Sequence, residues 1–431
     1  MQFTRRDLLR SGLAAGAALS LAPGLRSLAF AADGVDRGLL VVVHLRGGCD
    51  GLHLISPASD ADFIAARISD LRVAADGAQA GHALANGLDS HVDFRLHDAA
   101  TGLAELYKSG QLAFVHAAGL PAETRSHFVA TDMIERGIAD NAALARATSG
   151  WLARYQQGLG LLRPGAAVAA AGSPGGDFEA SATVLAIPDL GGGFGMPGGP
   201  QVAEVLSRMY GAAPGPVAAA GRTALSAMQL VDRRVARDPQ NHPQPYVPER
   251  NVNYDPAGDL ARPLKTVAQL AKMDIGLQVA TADIGGWDTH EGQPGRFRNA
   301  VGRFSAGLAA FYEDMWRYHD RLLVVTISEF GRRLRSNRSN GTDHGRAGVM
   351  AVLGGNVSGG RMYGRWPGLR SEKLDEGVDL AVTTDYRQVL SEVLTAHAGA
   401  APPASVFPGF QPAHPLGLLH TAKAATPTVP G

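Results

Sequence analysis

Acidic and imidazole side chains recur in four short segments of this chain, which could together bind a metal ion. The segments are Arg46-Gly47-Gly48-Cys49-Asp50-Gly51, Gly285-Gly286-Trp287-Asp288-Thr289-His290, Ser328-Glu329-Phe330-Gly331-Arg332 and Thr342-Asp343-His344-Gly345. Carboxylate oxygens and imidazole nitrogens from separate loops are the ligands that divalent ions use. The candidate ligands are Asp50, Asp288, His290, Glu329 and His344. The ion could be Zn, Mn, Mg or Ca.

Taken singly, each of these segments also has an ordinary structural interpretation. Asp50-Gly51 is typical of a turn, and Asp385, which precedes a predicted helix, is typical of an N-cap. His344 could be a hydrogen-bonded surface histidine. The occurrence of several such groups beside predicted strands is what favours a site.

Short apolar runs adjoin these segments and predict the strands of a sheet: Leu39–Leu45, Leu112–Ala117, Ala182–Ile187, Leu277–Ala282, Leu322–Ile327 and Val349–Leu353. Amphipathic stretches between them predict helices: Ala99–Lys108, His127–Arg136, Val202–Tyr210, Thr223–Arg237, Leu264–Lys272, Phe297–His319 and Tyr386–Ala396. Continuous apolar strands suit a sheet covered by helices on both faces. We therefore expect an α/β fold with a mostly parallel central sheet, whose ligands bind at the carboxyl ends of the strands.

The domain organisation follows from the same alternation. It predicts one domain over residues 32–402, with a helical and Pro-rich insertion at about 212–253. The Pro- and Ala-rich residues 403–431 are expected to form a tail over the surface.

The first 31 residues have the features of an export signal. Thr4-Arg5-Arg6-Asp7 carries a twin-arginine pair, and the apolar run Leu13–Leu21 is too short to span a bilayer. Ala29-Phe30-Ala31 supplies the small residues of a cleavage site. We expect the chain to meet the twin-arginine translocase during export, to lose residues 1–31, and to work in the periplasm or outside the cell.

Composition excludes some classes of function. The chain has 40 basic and 40 acidic residues; without the four arginines and one aspartate of the signal, 36 basic face 39 acidic residues. This balance is not that of a nucleic-acid binder. We expect no stable membrane span after cleavage, because no other apolar run is long enough. The single cysteine, Cys49, excludes an intramolecular disulfide.

Seven motifs in fixed order resemble those of a large family of twin-arginine-exported bacterial proteins of unknown function, grouped with the alkaline phosphatase and sulfatase superfamily. Four motifs are segments already described, from Arg46 to Leu52, Gly286 to His290, Ser328 to Arg332 and Asp343 to Gly345. The others are Arg125-Ser126-His127-Phe128, Gly150-Trp151-Leu152-Ala153-Arg154 and Thr384-Asp385-Tyr386-Arg387. The resemblance covers nearly all of the chain after the signal and implies an alkaline-phosphatase-like fold.

The resemblance also implies roles for individual residues. Asp50, Asp288, His290 and His344 match superfamily metal ligands, and Glu329 occupies the place of the aspartate in Asp-His-Gly. Ser126 matches the nucleophilic hydroxyl at a helix N-terminus, where the helix dipole favours an anionic ester. Independently of the resemblance, Arg332 and Arg125 could each bind such an anion bidentately, and surface ion pairing is the ordinary alternative for both.

Two functions remain open at this stage. The first is an exported metal-dependent hydrolase of phosphate or sulfate esters, acting on a small-molecule or polymeric anionic ester. The second is a catalytically degraded envelope protein that binds a polymer or a partner protein. The second is motivated by Phe330, which follows Glu329 where the superfamily has an imidazole, so this chain lacks one ligand of a two-metal site. The Cys-x-Pro-x-Arg motif of sulfatases is absent at Cys49.

Overall fold

A computed structural model describes residues 38–77, 80–196 and 198–420. The predicted export signal therefore lies outside the described residues, as do the last eleven residues of the tail. None of the helices in the described ranges combines the length and apolar character that a membrane crossing needs.

The strands of the described residues form one large sheet and one small sheet. The strands are β1 (Leu39–Leu45), β2 (Ile55–Pro57), β3 (His82–Ala83), β4 (Phe94–Leu96), β5 (Leu112–Gly119), β6 (Ala167–Ala169), β7 (Leu185–Ala186), β8 (Val279–Ile284), β9 (Leu322–Ile327), β10 (Gly348–Gly354), β11 (Met362–Tyr363) and β12 (Thr384–Asp385). The large sheet has the order β11-β5-β10-β9-β1-β8-β6-β7, with β12 also paired to β5. The small sheet has the order β2-β4-β3.

The α-helices of the described residues are α1 (Gly51–Leu54), α2 (Ala61–Ala66), α3 (Thr101–Lys108), α4 (His127–Glu135), α5 (Asn141–Leu144), α6 (Trp151–Gly158), α7 (Gly199–Ala212), α8 (Pro216–Asp232), α9 (Ala261–Lys272), α10 (Gln293–Asp314) and α11 (Tyr386–Ala398). Asp385 caps α11 by accepting a hydrogen bond from the Arg387 N–H, as expected.

The large sheet is covered on both faces, which explains its apolar strands. Every residue of β1 is buried. Alternate β1 side chains belong to two clusters: Val41 packs with apolar residues of α3, α9 and α10, and Val42 with those of α4, α6 and α11. The predicted α/β fold with a mostly parallel sheet and helices on both faces is confirmed.

The direction of β10 determines where the loops meet. β1 runs parallel to β8 and β9, whereas β10 is antiparallel to both β9 and β5. The amino end of β10 therefore lies at the same edge as the carboxyl ends of β1, β8, β9 and β5. This places His344, which precedes β10, beside residues that follow the parallel strands.

The region predicted as an insertion, at about 212–253, contains α8 and the Pro-rich segment after it, and α7 directly precedes it. Helix α7 has no buried residues. The segment that follows α8 is held at Asp314 of α10, which accepts hydrogen bonds from the Tyr246 and Tyr254 hydroxyls at 2.6 and 2.9 Å.

Candidate metal site

Three histidines surround Asp288 at the carboxyl edge of the large sheet. Asp288 Oδ1 lies 3.2 Å from His290 Nε2 and 3.4 Å from His344 Nε2, and Asp288 Oδ2 lies 3.6 Å from His127 Nε2. A tetrahedral metal with bonds to nitrogen of ~2.05 Å holds its ligand atoms about 3.4 Å apart. His127, Asp288 and His344 each offer an atom within 4.8 Å of the others, so this is a possible His/Asp metal site.

Each of the three imidazoles is held through its Nδ1 atom. His127 Nδ1 lies 2.8 Å from Glu329 Oε1, His290 Nδ1 lies 3.1 Å from Asp343 Oδ1, and His344 Nδ1 lies 2.8 Å from the Arg125 carbonyl oxygen. All three partners are acceptors, so each Nδ1 donates a proton and each neutral ring presents a lone pair on Nε2. In most metal-binding histidines the ring nitrogen that does not bind the metal donates its N–H to a carboxylate or a carbonyl oxygen.

The Nε2 atoms of His127, His290 and His344 point into the group around Asp288. His127 Nε2 is buried and has no hydrogen-bond partner within the described ranges. His290 Nε2 lies 2.8 Å from His344 Nε2. Two lone pairs at this distance repel each other unless a cation, either a proton or a metal ion, lies beside them. The donor set of His127, His344 and Asp288, with His290 Nε2 beside it, therefore fits a divalent ion.

The surroundings of His344 and Asp288 favour the charge states in which these two side chains bind metal. Burial, with the nearby charge of Arg332, lowers the pKa of His344 and favours the neutral ring. Burial opposes ionisation of Asp288, but its hydrogen bond from Arg332 lowers the pKa of that carboxyl overall. The side chains of Asp288 and His290 are 49% and 41% exposed, so the site is open to solvent.

Arg332 fixes the loops that carry this group. Its side chain is fully buried and donates to Asp288 Oδ1 at 2.6 Å and to the carbonyl oxygens of Gly47, Gly48, Trp287 and Thr342. All three guanidinium nitrogens are thus engaged, which differs from the expected contact with an anionic substrate. The structure gives Arg332 the role of joining three loops.

Asp50 is not brought into the group around Asp288. Its carboxylate is fully buried and accepts two hydrogen bonds from Arg67, at 2.6 and 3.0 Å, and one from Gln293 at 2.7 Å. It also caps the short helix α1 through the His53 N–H. With its oxygens engaged in these bonds, Asp50 holds the first loop together, and we leave it out of the ligand set.

Glu329 reaches the site through His127. Its Oε1 atom accepts from His127 Nδ1 and, at 2.9 Å, from the Gly47 N–H, while Oε2 accepts from Ser328 Oγ at 3.1 Å. Glu329 therefore contacts the group around Asp288 through the His127 ring, which it orients. It was expected from sequence to be a ligand itself.

His127 is a candidate ligand that the sequence did not single out. Its sequence signal was its position beside Ser126 in a motif already noted, and it brings a third imidazole to the group. Ser126 is exposed and lies at the N-terminus of α4, where its side chain makes no capping hydrogen bond. The flanking residues Arg125 and His127 both contact the group.

One stretch of the chain is similar to a known protein family. The model of a family described as a protein of unknown function, DUF1501, matches residues 258–400, a range that includes Asp288, His290, Glu329 and His344. Curated protein sequences gave no significant match.

Several solved structures are similar to this chain at low identity. An alkaline phosphatase superfamily protein from Vibrio parahaemolyticus has 11% identity and a TM-score of 0.39, over 86% of this chain and 69% of that one. PsFucS1 sulfatase from Pseudoalteromonas sp. has 10% identity and a TM-score of 0.37, over 84% and 68%. Alkaline phosphatase from the Antarctic bacterium TAB5 has 10% identity and a TM-score of 0.30, over 73% and 90%. The α/β chain thus has alkaline-phosphatase-like structural neighbours.

Proposed function

We propose that this protein is a metal-dependent hydrolase of phosphate or sulfate esters. The observation that carries the proposal is the orientation of His127, His290 and His344, whose Nε2 atoms face Asp288 while Nδ1 donates elsewhere. Those three imidazoles and the Asp288 carboxylate are the ligand set we propose for one divalent ion. The ion would lower the pKa of an attacking hydroxyl or water and neutralise negative charge on the ester oxygens.

The arrangement of Ser126 supports its role as the nucleophile. It precedes α4, and the N-terminus of a helix favours the negative charge of a phosphate or sulfate group. In the proposed reaction Ser126 Oγ forms a bond to phosphorus or sulfur, and the bond to the leaving alcohol breaks as that alcohol takes up a proton. Water then cleaves the bond to Oγ, which releases the free oxyanion and restores the hydroxyl.

Metal analysis combined with an ester assay tests this proposal. We expect the purified protein to contain a divalent ion and to hydrolyse a chromogenic phosphate or sulfate ester. Asp288→Asn should lose metal and activity together, whereas Ser126→Ala should keep the metal and lose turnover. Asp132→Asn, at an exposed carboxylate on α4, is the control. Metal without turnover on any ester would favour the second candidate, a binding protein of the cell envelope.

The place of action is a separate part of the proposal. The twin-arginine pair Arg5-Arg6 and the small residues of Ala29-Phe30-Ala31 motivate export to the periplasm or beyond. Expression in a bacterium with and without a working twin-arginine translocase tests it. We expect a mature protein that begins near residue 32 only where the translocase works, and Arg5→Lys with Arg6→Lys should abolish processing.

A further inference from the structure

A polar cavity lies at the N-terminus of α10, and none of the residues that line it belongs to the group around Asp288. It has a volume of about 420 Å³, and residues of α1, the segment after α2 and the first turn of α10 line it. Its walls include the buried imidazoles of His53 and His97, which are 2% and 5% exposed. Arg72 and Arg298 also line it. We call this space the α10 cavity.

The two imidazoles of the α10 cavity keep their Nε2 atoms free. His53 Nδ1 lies 3.1 Å from Gln293 Nε2, a donor, so His53 carries its proton on Nε2. The contacts of His97 with the Ala99 N–H and with Asp98 are also made through Nδ1, at 3.1 and 3.0 Å. Neither Nε2 atom has a hydrogen-bond partner among the residues that the structure describes. Each of these buried imidazoles is therefore partnered at Nδ1 only and keeps one nitrogen to which a ligand in the cavity could bind.

Two further features of the α10 cavity, the start of helix α10 and Arg298, favour negative charge. Helix α10 is 22 residues long and has no side-chain cap, so the positive end of its dipole lies at this turn. The Gln293 N–H donates to the Asn340 carbonyl oxygen and Pro294 has no N–H, so the amides left for an anion begin at Gly295. Gly295 of that turn lines the cavity. Arg298 uses its NH1 group for Asp98, at 2.9 Å, which leaves NH2 available. The other acid, Asp70, is exposed and accepts from Ser69 Oγ at 3.0 Å.

We propose that the α10 cavity binds a small oxyanion, such as phosphate, sulfate or a carboxylate group. The donors would be the imidazoles of His53 and His97, the guanidinium groups of Arg72 and Arg298, and the first turn of α10. Bidentate guanidinium contacts and helix N-termini both recognise oxyanions. This proposal goes beyond the proposed hydrolase function and does not depend on it.

Buried hydrogen bonds connect the α10 cavity to the segment that carries His344. Gln293 donates to both Asp50 and His53, and its Oε1 atom accepts from Thr342 Oγ1 at 2.7 Å. Thr342 lies two residues before His344. An anion in the cavity would therefore contact a polar network that ends beside the metal site.

Titration of the chelator-treated protein with inorganic phosphate, followed by calorimetry, tests the proposal without a metal ion. We expect saturable binding to one site, weakened about tenfold in Arg298→Gln because a charge-assisted hydrogen bond is lost. His97→Gln should weaken it further. Arg303→Gln, on the same helix and outside the cavity lining, should leave the affinity unchanged. Arg298 is partly exposed, so its variant is expected to fold even if the His97 variant does not.

The result that would overturn the proposal is an absence of saturable phosphate binding, or equal affinity in wild type and Arg298→Gln. Competition by phenyl phosphate distinguishes the sources of the anion. Displacement of phosphate would mean that the cavity accepts the anionic group of an ester, and a lack of displacement would restrict it to free anions. Either result supports oxyanion binding, and neither bears on whether the metal site catalyses hydrolysis.

Discussion

His290 Nε2 and His344 Nε2 lie 2.8 Å apart, and each ring donates a hydrogen bond from its other nitrogen, Nδ1, to a different acceptor. The Asp343 carboxylate holds one ring and the Arg125 carbonyl holds the other. Two neutral imidazoles in these tautomers have no proton to share, so the contact is stable only with a cation. The cation can be a proton or a metal ion, and the metal ion is the one we propose.

The first prediction concerns metal content. We expect about one equivalent of divalent ion in the wild-type protein, and a loss of most of it in His344→Ala, because that change removes one of the imidazole ligands. Elemental analysis after gel filtration measures the ratio. His242→Ala alters an exposed histidine and should retain the wild-type ratio. Equal metal content in the two variants would show that the ion binds elsewhere.

The second prediction concerns the residue behind His290. Asp343→Asn keeps the shape of the side chain but weakens the acceptor that orients the ring, so the affinity for metal should fall about tenfold to a hundredfold. Competition with a chromogenic chelator measures this. Asp343 is half exposed, so the midpoint of urea unfolding should be unchanged in the apo protein. Unchanged metal affinity would contradict the orienting role.

The third prediction concerns Arg332. Arg332→Lys leaves buried carbonyl oxygens without donors, because an ammonium group cannot reproduce the planar guanidinium contacts. The free energy of unfolding should fall by about 3 kcal/mol. Urea unfolding of the apo protein measures this. Arg317→Lys, at a site 65% exposed, is the matched control and should change stability little. A similar loss in both variants would contradict the role of Arg332 in joining the loops.

The fourth prediction concerns acid stability. Burial of Asp50 opposes its ionisation, but Arg67 more than compensates and holds the pKa of this carboxyl below its ordinary value. A carboxyl with a lowered pKa stabilises the folded state above the unfolded pKa near 4, and that contribution is lost as pH falls below about 4. Asp50→Asn should therefore flatten the fall in stability between about pH 4 and pH 2. The free energy of unfolding measured over this range tests it; a slope equal to that of wild type would contradict it.

Much of the fold could be predicted from sequence because buried strands have continuous apolar runs. β1 and β9 have the expected ends, and β5 and β10 extend the expected ranges by one or two residues. The prediction was less accurate at short strands. β6 consists of Ala167-Val168-Ala169, whose small residues carry little strand signal, and β7 covers only two of the six residues predicted there.

The candidate site was predicted in outline, and its details depended on tertiary contacts. Asp288, His290 and His344 meet as expected from their places at one edge of the sheet. Asp50 has the same position at a strand end, yet Arg67 occupies its oxygens, and nothing in the local sequence indicates that long-range partner. His127 lies on helix α4, after β5. Its proximity to Asp288 depends on how α4 packs at the edge of the sheet, which the sequence does not show.

The contacts of Arg332 have a consequence for variation among the loops. Four of the groups that it binds are backbone carbonyls, at Gly47, Gly48, Trp287 and Thr342. A main-chain oxygen is present whatever side chain a residue carries. Replacing the side chain of Trp287 or Thr342 would therefore not remove the carbonyl oxygen that Arg332 binds. Arg332 itself cannot be replaced in this way, because its guanidinium group makes all of these contacts. Side chains in the loops that Arg332 joins should therefore be easier to replace, in nature or in the laboratory, than Arg332.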